Sequence, residues 1–167
     1  MLTLVCGGAL CCCSSYIGFA INWHYKKRNI FFSEMLNFID FVTDNISFLK
    51  SPLQNIITTF IQNKKNDFAK LLWEYLNILQ SGQNVNLQNL SNLLNLNLLK
   101  NDEKELVINF FNSLGKLDSE TQLFNLKNYK TQIKKFGEQA EKKLKVTGGL
   151  AYKLGILFGI GIMILVV

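Results

Sequence analysis

Charged side chains are missing from both ends of this chain of 167 residues. No Asp, Glu, Lys or Arg occurs in residues 1–23 or in residues 154–167, although 18% of the whole chain is charged. A helix rises about 1.5 Å per residue, so about 20 apolar residues cross a hydrocarbon core of about 30 Å. Residues 2–21 and 146–167 have that reach. The sequence therefore predicts two transmembrane helices, one at each end.

The basic residues nearest to these two segments all lie towards the central stretch. They are Lys26, Lys27, Arg28, Lys142, Lys143 and Lys145. Lys and Arg collect on the cytoplasmic flank of a transmembrane helix. We therefore expect an N-terminal transmembrane helix at 1–25, a cytoplasmic domain at 26–145 and a C-terminal transmembrane helix at 146–167, with both termini outside the cytoplasm. Because these bases follow the first segment instead of preceding it, we expect an uncleaved anchor in the cell membrane.

The formal net charge of +6 is explained largely by these flanking bases. Each Lys or Arg near a membrane is attracted to anionic headgroups by about 1 kcal/mol. A nucleic-acid binder would need a basic face with aromatic side chains for stacking, and the bases after the first segment are too near the lipid for that. We therefore expect a lipid membrane, and no nucleic acid, among the partners.

Histidine and cysteine, which build many catalytic and metal sites, offer little here. His24 is the one histidine, and all 4 cysteines lie inside the first apolar segment without the spacing of metal ligands. Gly115 and Lys116 do not form a phosphate-binding loop, because Phe110 stands where that loop needs a glycine. The sequence therefore predicts no catalytic residue, no metal site, no cofactor and no enzymatic activity.

Between the two segments, apolar residues recur every three or four positions. Pro52 is the one proline of the chain, and no stretch alternates as a β-strand does. Helices are predicted over 31–49, which continues the first segment, and over 52–62, 66–82, 84–97, 102–115 and 119–145. Ser51 is expected to cap the helix that Pro52 begins. The predicted fold class is all-α, a cytoplasmic bundle of about five to six helices flanked by two transmembrane helices.

Small residues form a face on both apolar segments. They are Gly155 and Gly159, a GxxxG pair, in the second segment, and Gly7, Cys11, Ser14 and Gly18 in the first. Such faces let membrane helices approach each other closely. Two interpretations have equal weight: contact with another helix, in this chain or in a partner, and the ordinary abundance of glycine in membrane helices. Lys153 is expected to extend to the cytoplasmic surface beside Tyr152.

A capping-box pattern begins the last predicted helix of the central stretch. Ser119 is followed three residues later by Gln122, and such a pair satisfies two backbone N–H groups at a helix start. Asp118 is a second candidate for the cap. We expect Asp118 and Gln122 to serve this local structure, with contact to a partner protein as the alternative.

Several local patterns, in this order and at these spacings, resemble one protein family. They are Ile17-Gly18-Phe19 followed by Tyr25 and Arg28; Ser51-Pro52-Leu53; Leu114-Gly115-Lys116-Leu117-Asp118 followed by Gln122; and Tyr152-Lys153-Leu154-Gly155-Ile156-Leu157 followed by Gly159. Along nearly its whole length the chain resembles stage III sporulation protein AB, a membrane protein of endospore-forming bacteria. It departs from the family's pattern at Leu117, where serine is usual, and at Asn29, where proline commonly follows the arginine.

The resemblance implies a component of the channel or secretion apparatus that connects the mother cell to the engulfed forespore. The family's cytoplasmic domain is similar to the helical domain of the platform protein of type II secretion and type IV pilus systems. The resemblance thus implies a non-enzymatic platform on the mother-cell side, which docks a hexameric ATPase similar to stage III sporulation protein AA to other membrane subunits. The interaction candidates from these patterns are Gly18, Phe19, Tyr25, Arg28, Pro52, Gly115, Asp118, Gln122, Tyr152, Lys153, Gly155 and Gly159.

One alternative belongs to a different functional class. The chain would be a structural membrane protein of a secretion or phage system that oligomerises through its glycine faces, without a motor partner. This alternative predicts that Gly155→Leu and Gly159→Leu abolish function while changes on the bundle surface do not.

Overall fold

The computed structural model describes residues 2–49, 52–81, 98–116 and 118–166, and the regular elements in these ranges are all helical. The helices are α1 (Leu2–Asp44), α2 (Leu53–Ile61), α3 (Asp67–Gln80), α4 (Asn101–Ser113), α5 (Ser119–Lys143) and α6 (Gly149–Val166). Two π-helical segments, Asn45–Leu49 and Leu144–Gly148, follow α1 and α5. The prediction of an all-α fold is therefore confirmed, and the helix predicted over 84–97 lies outside the described residues.

Two compact units make up the chain. The terminal unit consists of Met1–Asn29 and Glu138–Val167, and the bundle unit consists of Ile30–Gly137. The sequence predicts a cytoplasmic domain at residues 26–145. The borders of that domain depend on where a membrane lies, so they stay a prediction.

The bundle unit has an apolar core to which each of its described helices contributes. Most of the predicted stripe of apolar residues along α1, spaced three and four apart, is buried, while Leu36, and Ile46 just after α1, are half-buried. The buried side chains include Phe31, Phe32, Met35, Phe38, Ile39 and Val42 of α1, Ile56, Ile57 and Phe60 of α2, Phe68, Leu71, Leu72, Tyr75 and Leu76 of α3, Val107, Phe110 and Phe111 of α4, and Leu126 and Ile133 of α5.

Phe38 lies at the centre of an aromatic cluster in this core. Its ring centroid is 5.0 Å from that of Phe60, 5.8 Å from that of Phe68 and 6.4 Å from that of Phe110. The three partners belong to α2, α3 and α4, and the angles between the rings favour edge-to-face contact. One side chain of α1 thus packs against three other helices.

The start of α3 follows the expected rules, whereas the start of α2 needs a correction. At α3 the side chain of Asn66 accepts a hydrogen bond of 2.8 Å from the Ala69 N–H, as an N-cap does. Pro52 was expected to be the first residue of α2, which is wrong. It is the N-cap residue, with φ −57° and ψ 139°, and its carbonyl oxygen accepts from the Asn55 and Ile56 N–H groups. Ser51, the expected cap, lies outside the described residues.

One helical stretch, Ser119–Ile162, is long and apolar enough to cross a membrane. It is the only stretch of the described residues that meets both criteria, which concern length and composition alone. The all-α part of the prediction holds, whereas two transmembrane helices are not confirmed by this finding.

Candidate functional site

The two apolar segments of the terminal unit pack against each other at Gly18 and Gly155. A β-carbon on Gly18 would lie 2.7 Å from the carbonyl oxygen of Ala151 and 3.2 Å from the α-carbon of Gly155. A β-carbon on Gly155 would lie 3.0 Å from the carbonyl oxygen of Ser14. These neighbours are backbone atoms, which cannot turn away as a flexible side chain can. The two segments therefore approach to a distance that only glycine permits at these positions.

A hydrogen bond and a second close approach extend the same pairing along the two segments. The Ser14 hydroxyl donates a hydrogen bond of 2.9 Å to the Gly155 carbonyl oxygen. A β-carbon on Gly148 would lie 2.8 Å from the Asn22 Oδ1 atom and 3.5 Å from the Tyr25 β-carbon. Positions 14, 18 and 22 thus face 155, 151 and 148, so the two segments run antiparallel. The π-helical segment that ends at Gly148 lies within this contact.

The remaining small residues of the two predicted faces have different positions. Gly159 is buried within the terminal unit. Gly7 and Cys11 lie outside the residues whose surroundings are described. Sequence reasoning missed Asn22, although it continues the four-residue spacing of Ser14 and Gly18 and that spacing was a signal for the same helix face.

Large apolar side chains point outwards from the terminal unit. The exposed ones are Tyr16, Ile17, Phe19, Ile21, Trp23, Val146, Leu150, Tyr152, Leu154, Leu157, Phe158, Ile160 and Ile164. Small residues thus lie between the paired helices while bulky apolar residues lie outside. In a water-soluble helix pair, the bulky apolar residues lie between the helices. So large an exposed apolar surface is typical of contact with lipid or another protein.

Aromatic and basic residues lie together at the part of α1 that contains its first charged side chains. The ring of Trp23 stacks with that of Phe19, at 6.1 Å between centroids, and the Lys26 ammonium lies 5.5 Å from the Trp23 ring centroid. Arg28 is only 4% exposed and has an interaction partner. Lys153, one of the interaction candidates on α6, is exposed. Mixed aromatic and basic side chains of this kind are common at the surface of a bilayer.

A second group of candidates forms the turn between α4 and α5 in the bundle unit. Gly115 has a φ of +76°, a conformation that favours glycine. Its N–H donates a hydrogen bond of 3.2 Å to the buried Gln122 Oε1. The Asp118 carboxylate accepts a bond of 3.1 Å from the Thr121 N–H. Gly115, Asp118 and Gln122 are therefore parts of one local structure.

The capping box expected from Ser119 is wrong. Asp118 occupies the N-cap position, so α5 begins at Ser119 and Gln122 is its fourth residue. A capping box needs its glutamine at the third position, and here that position is Thr121. The hydrogen bonds from the backbone and side chain of Thr121 lower the pKa of Asp118. The Gln122 side chain turns back to Gly115 and closes the turn.

The structure also brings this turn to the start of α2. A β-carbon on Gly115 would lie 3.1 Å from the Leu53 Cδ2 atom. Pro52 itself is exposed, at the N-cap of α2. The Pro-Leu pattern and the Leu-Gly pattern, which are far apart in the sequence, therefore meet in the bundle unit.

The part of the chain that the structure describes contains no candidate metal site. No group of three or more His, Cys, Asp or Glu side chains comes together there. His24 packs its ring against that of Tyr25, with centroids 5.9 Å apart.

Comparison with known proteins identifies the family to which these patterns belong. The family model for stage III sporulation protein AB matches residues 3–167. The chain belongs to this family. A search of curated proteins and a search of solved structures each found no match. The resemblance to stage III sporulation protein AB is confirmed, and the match includes the terminal unit and the bundle unit alike.

Proposed function

We propose that this stage III sporulation protein AB family member is a non-enzymatic platform of the channel between mother cell and forespore. Its two apolar segments cross the cell membrane as an antiparallel pair. Its helical bundle lies in the mother-cell cytoplasm, docks a hexameric secretion-type ATPase similar to stage III sporulation protein AA, and links that ATPase to other membrane subunits.

The proposal that the two apolar segments cross the membrane is supported by the arrangement of the terminal unit. Its paired helices meet through Gly18 and Gly155, and bulky side chains such as Leu157 and Phe158 face outwards. Lipid offers no apolar driving force between helices, so membrane helices associate through close packing and hydrogen bonds. The bond from Ser14 to the Gly155 carbonyl is of this type.

The pairing also supports a second crossing. The stretch that is long and apolar enough to span a membrane includes Gly155. A segment that packs antiparallel against it along positions 14, 18 and 22 lies at the same depth in the bilayer. A helix is suited to that place, because its backbone hydrogen bonds are satisfied within the segment. The basic flanks favour the cytoplasm as the side of the bundle.

The bundle unit supports docking more than catalysis. Its core is closed by apolar contacts around Phe38, and the described residues contain no candidate metal group. A folded helical bundle held at a membrane is the part that a motor-docking adaptor requires. The family match to a sporulation protein is consistent with this role.

Co-flotation tests the docking directly. The full chain is reconstituted in liposomes, the purified hexameric ATPase is added, and the vesicles are floated through a density gradient. We expect the ATPase to float with vesicles that contain the chain and to stay at the bottom with empty vesicles of the same lipids. An ATPase that stays at the bottom in both samples, with and without nucleotide, would remove docking from the proposal.

A structural oligomer is the second candidate, and one feature favours it. Leu154, Leu157, Phe158, Gly161 and Ile162 line a groove of about 310 Å³ on α6. Gly155 is occupied by contact with Gly18 in the same chain, so an oligomer would use this groove instead. Cross-linking between chains with cysteines at Leu157 and Gly161, in a chain that lacks the native cysteines, decides whether such an oligomer forms.

A further inference from the structure

A polar groove lies between α4 and α5 of the bundle unit. It has a volume of about 340 Å³, and the lining residues are Leu106, Asn109, Asn125, Asn128, Tyr129 and Gln132. None of these six residues carries a charge. Four of them end in a primary amide, which has two N–H donors and a carbonyl acceptor in one plane.

The spacing of the lining residues explains why they form one surface. Asn125, Asn128 and Gln132 are three and four residues apart on α5, so they share a face of that helix. Leu106 and Asn109 are three apart on α4. The Tyr129 ring contacts the ring of Phe110 edge-on, at 5.5 Å between centroids, which fixes the phenol at the groove.

The amide groups in this groove are available to a ligand. The side chains of Asn109, Asn125, Asn128 and Gln132 make no hydrogen bond among the described residues. Asn128 and Gln132 are exposed to solvent. A bound carboxylate, phosphate or ammonium group would have no opposite charge in the lining to replace its water. The chemistry therefore favours an uncharged ligand that has both donors and acceptors.

An exposed aromatic residue, which does not itself line the groove, neighbours two of the lining residues along α5. Phe124 is next to Asn125 and one turn before Asn128, and it is 65% exposed. Exposed aromatic side chains are favoured anchors in protein interfaces. A small polar metabolite without an apolar part would gain little from such a neighbour, whereas a protein segment has both a polar backbone and apolar side chains.

We propose that this groove binds an extended, uncharged segment of a partner protein through the segment's main chain. The amides of Asn128 and Gln132 pair with its N–H and C=O groups, and one of its apolar side chains packs on Phe124. This inference goes beyond the proposed platform function, because it does not depend on which protein supplies the segment.

Peptide selection on the full chain in lipid nanodiscs tests the proposal. A display library of random 12-residue peptides is the probe, and the affinity of each selected peptide is measured by fluorescence polarisation. We expect uncharged peptides with one central apolar residue. The double variant Asn128→Ala/Gln132→Ala is expected to weaken their binding about tenfold or more. Both positions are exposed on a helix, so alanine there preserves the fold.

Matched controls separate the groove from the rest of the surface. Asn37→Ala and Asn77→Ala remove exposed amides from α1 and α3 and are expected to leave the affinity unchanged. Phe124→Ala is expected to weaken binding about tenfold, whereas Trp73→Ala, which removes another exposed aromatic residue, is not. N-methylation of the central peptide amides tests recognition of the main chain and is expected to abolish binding.

Several results would overturn the inference. One is a selection that yields no peptide, or only charged peptides. Another is a set of peptides whose affinity is the same for the wild-type chain and for Asn128→Ala/Gln132→Ala. A third is binding that tolerates N-methylation, because recognition would then rest on side chains alone.

Discussion

The hydroxyl of Ser14 donates a hydrogen bond of 2.9 Å to the carbonyl oxygen of Gly155, at the place where the two apolar segments are closest. Residues 141 positions apart in the sequence are thus joined inside one chain. Gly155 of α6 is engaged within the chain and is not left open for a second copy. The two segments of the terminal unit are therefore held together by contacts within one chain.

The Gly18 position tests this pairing. We expect Gly18→Ala to destabilise the terminal unit by about 1–3 kcal/mol, because the new methyl group would lie against backbone atoms. Gly161→Ala is the matched control, since nothing lies within 4 Å of a β-carbon there. Thermal unfolding in detergent micelles, followed by circular dichroism, measures both. Equal melting temperatures for the two variants would contradict the close approach.

Replacement of two glycines of the bundle unit by alanine should change the stability in opposite directions. Gly115 has a φ of +76° and lies against Leu53, so Gly115→Ala is expected to cost about 1–2 kcal/mol. Gly137 lies inside α5, and a β-carbon there would be 3.6 Å from Phe32 and 3.7 Å from Leu36, which is ordinary contact. Gly137→Ala is expected to stabilise by about 0.5–1 kcal/mol. Urea unfolding measures both changes, and a gain in stability for Gly115→Ala would refute the assigned turn.

Tyr75 should make stability depend on alkaline pH. Its hydroxyl donates a bond of 3.1 Å to the Phe111 carbonyl oxygen, and burial raises the pKa of Tyr75 from 10.0 to about 12. Between these values the unfolded chain releases the proton and the folded chain keeps it, so the free energy of unfolding falls as pH rises. The loss across this interval is expected to be about 3 kcal/mol or less.

The variant Tyr75→Phe isolates this effect from the titration of lysines. At pH 7 we expect it to be less stable than the wild type by about 1 kcal/mol, because a buried hydrogen bond is lost. Since phenylalanine does not titrate, the difference should shrink or reverse as the pH rises from 10 to 12. Urea unfolding across this range measures the difference, and a difference that stays constant would contradict the raised pKa.

Phe38 should contribute more to the stability of the bundle unit than Phe41, which has fewer ring contacts. Phe38→Leu removes three ring contacts and is expected to cost about 2–3 kcal/mol. Phe41 contacts one ring, that of Phe60, at 5.6 Å, so Phe41→Leu is expected to cost about 1 kcal/mol. Urea unfolding ranks the two variants. If Phe41→Leu costs as much as Phe38→Leu, the cluster is not centred on Phe38.

The sequence predicted most of the described fold because helix signals are local. The spacing of apolar residues marked the stripe along α1 that includes Phe31 and Met35, and Asn66 marked the start of α3. Where the prediction failed, two adjacent residues competed for one role. Asp118 and Ser119 can both cap a helix, and only the hydrogen bond from the Thr121 N–H shows that Asp118 does so.

Local sequence patterns could not predict the contacts between segments that are distant in the sequence. The small-residue faces were visible in the sequence, but contact within this chain was only one of the interpretations they allowed, and the pairing of Gly18 with Gly155 was not predicted. The contact between Leu53 and Gly115 likewise depends on how α2 and α4 pack. The polar groove needed the relative placement of α4 and α5, because Asn and Gln on a single helix are indistinguishable from an ordinary solvated face.

The central claim is that both apolar segments cross the membrane, and their topology tests it most directly. In a chain without native cysteines, one cysteine is placed at the exposed Lys127 of the bundle or is fused to either end. A membrane-impermeant maleimide is then applied to right-side-out and to inverted vesicles. We predict that the bundle cysteine reacts only in inverted vesicles and both end cysteines only in right-side-out ones. An end cysteine that reacts on the same side as Lys127→Cys would contradict the paired crossing.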